Sequence, residues 1–279
     1  NSIILQKRRK ADLSFINNLY TWWFNPQPSV INGNFFLGNS NVKDENGNYI
    51  LPVSLFVSST YQRIGWIKFD NNLSPVSTSS TYFVCEDIPD TSAYGWGQTS
   101  MVTYKGKVYL ASEIANIPDT TTGRRVGLFE CDFDNMSLTM VDIITPSEKG
   151  NYKWNDISIQ QPSLFVYKNQ MFLTCRGYGA DQATYNMPNG SQPNGLYYFD
   201  EVSKKLNEHY SNPMILNPKL CDWGKNYYDH GGYNVYLEDG EILFALLSFS
   251  HGYNQYNVLP CTINVQGEKS VNQWEIFNK

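Results

Sequence analysis

Gly65-Trp66-Ile67-Lys68-Phe69-Asp70 is a largely apolar run that closes on an acid. The phrase returns from Gly127 to Phe133-Asp134 and as Gly195-Leu196-Tyr197-Tyr198-Phe199-Asp200, and a weaker copy ends at Ile263-Asn264. The closing positions 70, 134, 200 and 264 lie 64, 66 and 64 residues apart. A period of about 65 residues, filled with short β-rich runs, is one supersecondary unit copied along the chain. Such a unit cannot bury its apolar face alone, so successive copies must pack on one another.

The surrounding sequence supplies the other strands of the unit. Its opening phrase reads Gln27-Pro28-Ser29-Val30-Ile31, then Gln98-Thr99-Ser100-Met101-Val102, then Gln161-Pro162-Ser163-Leu164-Phe165. The fourth copy, Gly232-Tyr233-Asn234-Val235-Tyr236, loses the Gln. Next come the dipeptides Asn32-Gly33, Lys105-Gly106, Lys168-Asn169 and Asp239-Gly240. These adopt positive φ at low cost and close two-residue hairpins. Second strands follow at Phe35-Phe36-Leu37, Val108-Tyr109-Leu110, Met171-Phe172-Leu173 and Ile242-Leu243-Phe244. Polar loops at Asn39–Asn48, Ile114–Arg125 and Gly177–Asn194 lead to the third strand. Fourth strands are read at Leu138-Thr139-Met140-Val141 and from Val271 to Ile276. No segment sustains the three-and-four spacing of an amphipathic helix.

Four antiparallel strands per unit is the blade of a propeller, so the expected fold is an all-β propeller with four legible blades. A fifth blade is left open. Residues 21–279 form the propeller in this reading, and residues 1–20 are an N-terminal segment. Within it Ser2-Ile3-Ile4-Leu5 is expected to add a strand to the last blade and remove a free edge. Asp44-Glu45-Asn46-Gly47-Asn48 resembles a calcium loop only in its first half and lacks the distal bidentate Glu, so it reads as a plain turn.

Composition narrows the function. Hydrophobic residues are 41% of 279, enough for a sizeable core, and aromatics are 15%, with 20 Tyr and 7 Trp. Tyr and Trp suit strands, and their apolar bodies with polar tips also suit sugar- or protein-binding surfaces. Net charge is −5, and the one basic run, Lys7-Arg8-Arg9-Lys10, lies in the N-terminal segment, which excludes a nucleic-acid-binding stripe. The five cysteines are odd in number and show no CxxC spacing, so neither a disulfide framework nor a zinc site is expected. No signal peptide or transmembrane run is evident, and the first residue is Asn1, which suggests a mature product or a piece of a longer chain.

The start of each innermost strand should lie at one mouth of the channel. Gln27, Gln98, Gln161 and the Asp229-His230 pair occupy those positions, and Trp22-Trp23, Trp96, Trp154 and Trp223 precede them. A flat apolar face beside a planar amide is the combination a sugar needs: stacking for its C–H face and hydrogen bonds for its hydroxyls. Trp23, Gln27, Trp96, Gln98, Trp154, Gln161, Trp223, Tyr228 and Asp229 are therefore the candidate substrate-binding residues. The competing structural role is a Trp wedged between blades and a Gln bonded to backbone. In the fourth blade His230 precedes the first strand and His251 follows the second, so the two rings are expected to converge. With Asp229 they carry groups suited to acid–base work near neutral pH. No metal or cofactor is required by this set.

The segments Tyr20-Thr21-Trp22-Trp23-Phe24-Asn25-Pro26-Gln27-Pro28 and Asp229-His230, Asp239-Gly240, His251-Gly252 resemble the BNR-repeat propeller family. That family includes polysaccharide lyases that cleave uronate-containing glycans with two histidines, a tyrosine and an arginine at the channel mouth. The resemblance implies His230 and His251 in the histidine roles. Tyr253, Tyr256 and Arg176 match by residue type alone. In the family the Trp-rich blade directly precedes the His blade, whereas here two repeats intervene. Sialidase Asp boxes of the Ser-x-Asp-x-Gly-x-Thr-Trp form are absent, and the lone Asp229 is not the carboxylate pair that glycoside hydrolysis uses.

The expected function is recognition of a cell-surface or extracellular polysaccharide at one mouth, in an extracellular or virion-associated attachment protein. The alternatives are a uronate polysaccharide lyase using His230, His251, Arg176 and Tyr253, and a protein-binding scaffold. Whether the chain is an enzyme is left open. Expected partners are a glycan and other parts of a larger polypeptide or virion, with no nucleic acid and no membrane insertion.

Overall fold

The computed structural model describes residues 2–8, 15–23, 35–38, 40–56, 62–88, 95–115, 124–145, 158–178, 194–208, 227–229, 234–238, 242–251, 256–262 and 275–276, with side chains described within 38–208. Among these residues all regular structure is β, arranged in five sheets.

β1 (Ser2–Arg8) and β2 (Phe15–Trp23) pair antiparallel as a sheet of their own, with Ser2 opposite Trp23. Among the described residues Ser2–Leu5 takes β2 as its partner. Trp22 and Trp23 end that hairpin. The first repeat holds β3 (Phe35–Leu37), β4 (Val42–Lys43), β5 (Tyr49–Phe56), β6 (Gln62–Phe69) and β7 (Pro75–Thr78), ordered β3-β5-β6-β7 with β4 also on β5. β8 (Val84–Cys85) crosses to the second repeat and pairs in parallel with its outermost strand. That repeat is β9 (Gly95–Tyr104), β10 (Lys107–Ala115), β11 (Arg125–Asp132) and β12 (Ser137–Ile144), in sequential order. The third is β13 (Ser158–Tyr167), β14 (Gln170–Tyr178), β15 (Asn194–Asp200) and β16 (Lys205–Glu208). The fourth is β17 (Tyr227–Asp229) and β18 (Asn234–Glu238), both on β19 (Ile242–His251), followed by β20 (Tyr256–Thr262) and β21 (Glu275–Ile276).

The turns follow from local chemistry. Lys105-Gly106 (φ 49° and 77°) and Lys168-Asn169 (φ 44° and 60°) close the hairpins of the second and third repeats with two positive-φ residues each, as the right-handed strand twist favours. At the end of the third strand in the first three repeats an Asp folds back on the chain. Asp70 Oδ1 accepts the N–H groups of Asn72 and Ser74, Asp132 those of Asp134 and Asn135, and Asp200 that of Val202. In the second repeat the working acid is thus Asp132 and not Asp134. An Asx turn needs its acceptor on the residue two before the N–H it takes.

The first repeat departs from the sequence expectation. Phe35–Leu37 and Val42–Lys43 form its first strand, and Tyr49–Phe56 is its second. Asp44–Asn48 is the hairpin turn between them, not a connection from second to third strand. Asp44 Oδ1 accepts from the Asn46 and Asn48 N–H groups, Gly47 takes φ 80°, and Asp44 N–H meets the Asn48 carbonyl at 2.9 Å. A run that satisfies its own backbone in this way needs no longer path. The expected strand at Gln27–Ile31 lies outside the described residues, as do the Asn32-Gly33 and Asp239-Gly240 turns.

The sheets pack face to face, and the cores lie between them. Val42, Ile50 and Ile64 of the first repeat bury with Met101, Leu110, Ile114 and Phe129 of the second. On the other face of the second sheet, Tyr109, Ala111, Val126 and Leu128 bury with Leu164, Met171, Leu173 and Tyr197 of the third. A sheet covered on both faces needs continuous apolar strands, because alternate side chains point to opposite cores. This is why the phrase that marks the repeat is apolar.

First strands of successive sheets are tied by one serine each. Met101 N–H donates to Ser40 Oγ at 2.8 Å, and Leu164 N–H donates to Ser100 Oγ at 2.8 Å. Ser40 and Ser100 also bond to each other at 2.7 Å. In these ties Ser40 of the first repeat plays the part that Ser100 plays in the second, and Ser29 lies outside the described residues.

Candidate functional site

Each first strand carries extra residues at one level. In the second repeat Thr99 faces Ser112 and Trp96 faces Ile114, three residues against two. In the third, Ser163 faces Thr174 and Gln160 faces Arg176, again three against two. In the first, the step from Val42–Ile50 to Leu37–Val53 sets five residues against three. In the fourth, the step from Asn234–Leu246 to Asp229–Phe249 does the same. Bulges re-aim side chains and mark rims and sites. In the first three repeats they fall next to Gly38, Gly97 and Pro162, residues that fit a sheet ladder poorly.

The bulges of the second and third repeats meet at Glu113. This carboxylate is 2% exposed and sits on β10, opposite the Gly97-Gln98 bulge. Its Oε1 accepts the Gln161 backbone N–H at 2.6 Å, and its Oε2 accepts Arg124 Nη1 at 2.9 Å. Burying a carboxylate is costly unless it is paired and hydrogen-bonded, and both conditions are met. Gly97 is required by this packing: a Cβ there would stand 2.4 Å from Glu113 Oε2. Ser54 of the first sheet donates its hydroxyl to the Gly97 carbonyl. Gln161 has φ 52°, a left-handed value rare for a side chain of its size, and the bond to Glu113 helps hold it there.

A polar band continues into the third sheet. Ser158 Oγ accepts the Arg124 N–H at 3.2 Å and the Gln160 Nε2 at 3.0 Å. Gln160 Oε1 accepts from Arg176 Nη2. Glu113, Arg124, Ser158, Gln160 and Arg176 are thus linked in one chain. All stand where first strands begin, second strands end and third strands start. The long connections between second and third strands leave from this same end.

The structure brings three expected residues into this band or beside it. Gln98 lies in the first of the two bulges, Gln161 in the second, and Arg176 closes the chain. Gln161 enters through its backbone N–H, while its side-chain Oε1 is buried without a hydrogen-bond partner among the described residues. Trp96 stands opposite Ile114, next to the bulge. Trp23 pairs with Ser2 on the separate hairpin. In the fourth repeat Tyr228 faces Ser250 and Asp229 faces Phe249, while His251 faces Tyr227. Gln27, Trp154, Trp223, His230 and Tyr253 lie outside the described residues. Glu113, Arg124, Ser158 and Gln160 escaped the sequence reading. The available signal was a charge, Glu113, set inside the run Val108-Tyr109-Leu110-Ala111-Ser112-Glu113-Ile114.

No family model and no curated protein matches the sequence. Solved structures do resemble it. One is an α-L-arabinofuranosidase from Lactobacillus brevis, with TM-score 0.57, 12% identity, and 80% of this chain against 71% of that one. A family 117 glycoside hydrolase from Zobellia galactanivorans gives TM-score 0.60, 13% identity, and 87% against 69%. A levansucrase variant from B. megaterium gives TM-score 0.65, 10% identity, and 99% against 76%. What this chain shares with them, at such identities, is a β-propeller-like fold of stacked antiparallel sheets.

Proposed function

We propose that the protein is a glycan-recognising β-propeller that takes a polysaccharide at the mouth carrying Glu113, Arg124, Gln160 and Arg176. The observation that carries this is the polar band itself: a carboxylate, two guanidiniums and amides, linked across adjacent sheets beside the Gln98 bulge. These are the groups that exchange hydrogen bonds with sugar hydroxyls. The fold neighbours are glycoside hydrolases, an arabinofuranosidase and a levansucrase, which supports a carbohydrate ligand. Binding is favoured over hydrolysis because both oxygens of Glu113 are already engaged by protein donors, Arg124 Nη1 and the Gln161 N–H. In this proposal the chain works outside the cell or on a virion, attached to a larger assembly.

A glycan array on the wild type, Trp96→Ala and Gln98→Ala tests the reading. Wild-type binding that both variants retain in full removes the mouth as the site. Uronate elimination is the second reading, with His251 supported by the register that sets it opposite Tyr227. Ultraviolet absorbance of an unsaturated product from uronate polysaccharides, lost in His251→Ala, is the outcome that would put it first.

A further inference from the structure

We infer that Arg124 is the ligand-contacting guanidinium of this mouth, held by Glu113 as its positioning residue, and that it grips two adjacent oxygens of a sugar, either a carboxylate or a vicinal hydroxyl pair. The inference rests on the glycan reading above and deepens it.

Three observations support it. The Arg124 side chain is 50% exposed, whereas its partner Glu113 is 2% exposed, so the pair has one buried and one open end. Guanidinium offers five N–H donors in a planar fork. Among the described residues Nη1 to Glu113 is its one side-chain hydrogen bond, so the half-exposed fork keeps donors in reserve. The position is also fixed from behind: Arg124 N–H donates to Ser158 Oγ, and its carbonyl accepts the Ile159 N–H at 2.9 Å. A backbone clamped to the next sheet, with a side chain clamped by a buried carboxylate, presents its free edge at little entropic cost. Rigid presentation is what makes a guanidinium fork selective for paired oxygens.

Glu113 does not reach the ligand in this arrangement. It orients the fork and holds Gln161 in its left-handed conformation, so it couples the second and third repeats to the same ligand.

The experiment is calorimetric titration of the full chain with an oligogalacturonide and with a neutral fructo-oligosaccharide. The variants are Arg124→Lys, Glu113→Gln and the double mutant, and melting temperature is recorded for each. Arg124→Lys keeps the charge and loses the fork, so affinity should fall about tenfold with little change in melting. Glu113→Gln should cost a similar factor, and the double mutant should add little to either single change, because both act on one contact. A fall confined to the oligogalacturonide identifies the carboxylate, and a fall with the fructo-oligosaccharide identifies the hydroxyl pair. Wild-type binding that Arg124→Lys leaves unchanged overturns the inference and spares the glycan reading. No binding of either probe by the wild type overturns both.

Discussion

Replacing Ser100 by Ala removes one oxygen from the packing between the second and third repeats. Ser100 is fully buried. Its Oγ accepts the Leu164 N–H at 2.8 Å and lies 2.7 Å from Ser40 Oγ. In Ser100→Ala the buried Leu164 N–H loses this acceptor, a loss of about 1–3 kcal/mol for a buried donor. Ser40 keeps its bond from Met101 N–H, so the lost hydroxyl contact adds about 0.5–1 kcal/mol. The expected destabilisation is about 1.5–4 kcal/mol, or a fall in melting temperature of about 3–16 °C at 2–4 °C per kcal/mol for larger domains. Urea unfolding followed by tryptophan fluorescence and by far-ultraviolet circular dichroism measures it, and the two probes must coincide before a free energy is taken. Exposed Ser77→Ala is the control, expected within about 0.5 kcal/mol of wild type. The Ser40→Ala and Ser100→Ala double mutant should lose less than the sum of the singles, since they share a bond. A Ser100→Ala protein as stable as the Ser77→Ala control would refute the serine tie.

Gly97→Ala drives a Cβ to 2.4 Å from Glu113 Oε2 and 2.6 Å from Glu113 Cβ, so the carboxylate must leave Arg124 or Gln161; about 1–3 kcal/mol of destabilisation is expected in urea unfolding, and none would show that the bulge relaxes freely. For Asp44, burial raises the carboxyl pKa, but the bonds from Lys68 and Asn48 outweigh it and hold it at about 2, against 3.8 unperturbed. A depressed folded pKa stabilises above the unfolded value and is lost as pH falls, so the stability gap between wild type and Asp44→Asn should close between about pH 4 and pH 2. A gap that is constant across that window would contradict the pairing of Asp44 with Lys68 at 2.8 Å. Burial pushes the thiols of Cys85, Cys131 and Cys175 up, so none should react with a disulfide reagent near neutral pH until the protein is unfolded. Peptide mapping that finds one of them labelled in the native state would show an opening between the sheets.

The hairpins of the second and third repeats were legible because Lys105-Gly106 and Lys168-Asn169 are local statements, satisfied by the φ preferences of two residues. The third strands were legible for a related reason: a sheet buried on both faces leaves an unbroken apolar run. The first repeat misled because its turn is five residues long, and Asp44–Asn48 looks like a loop until its own hydrogen bonds are counted. Asp132 was passed over for Asp134 because both close an apolar run and only the backbone shows which carboxylate is turned toward an N–H. At the site, Gln98 and Gln161 were named from their positions at the starts of first strands, and Arg176 by residue type alone. Glu113 and Arg124 were not, since their partners lie 48 and 11 residues away.

The repeat that began at Gly65 to Asp70 thus determined, without coordinates, that the chain is all-β and builds its core from copies of one sheet. Periodicity of apolar residues and turn preference are properties of neighbouring residues, and they survive in one dimension. Tertiary structure decided which serine ties each sheet to the next, where the first strands bulge, and that a buried Glu113 joins two repeats through Arg124 and Gln161. Those contacts depend on register and on the path of the bulges. Inserting one residue leaves the hydrophobic period nearly unchanged but turns a side chain toward a different neighbour.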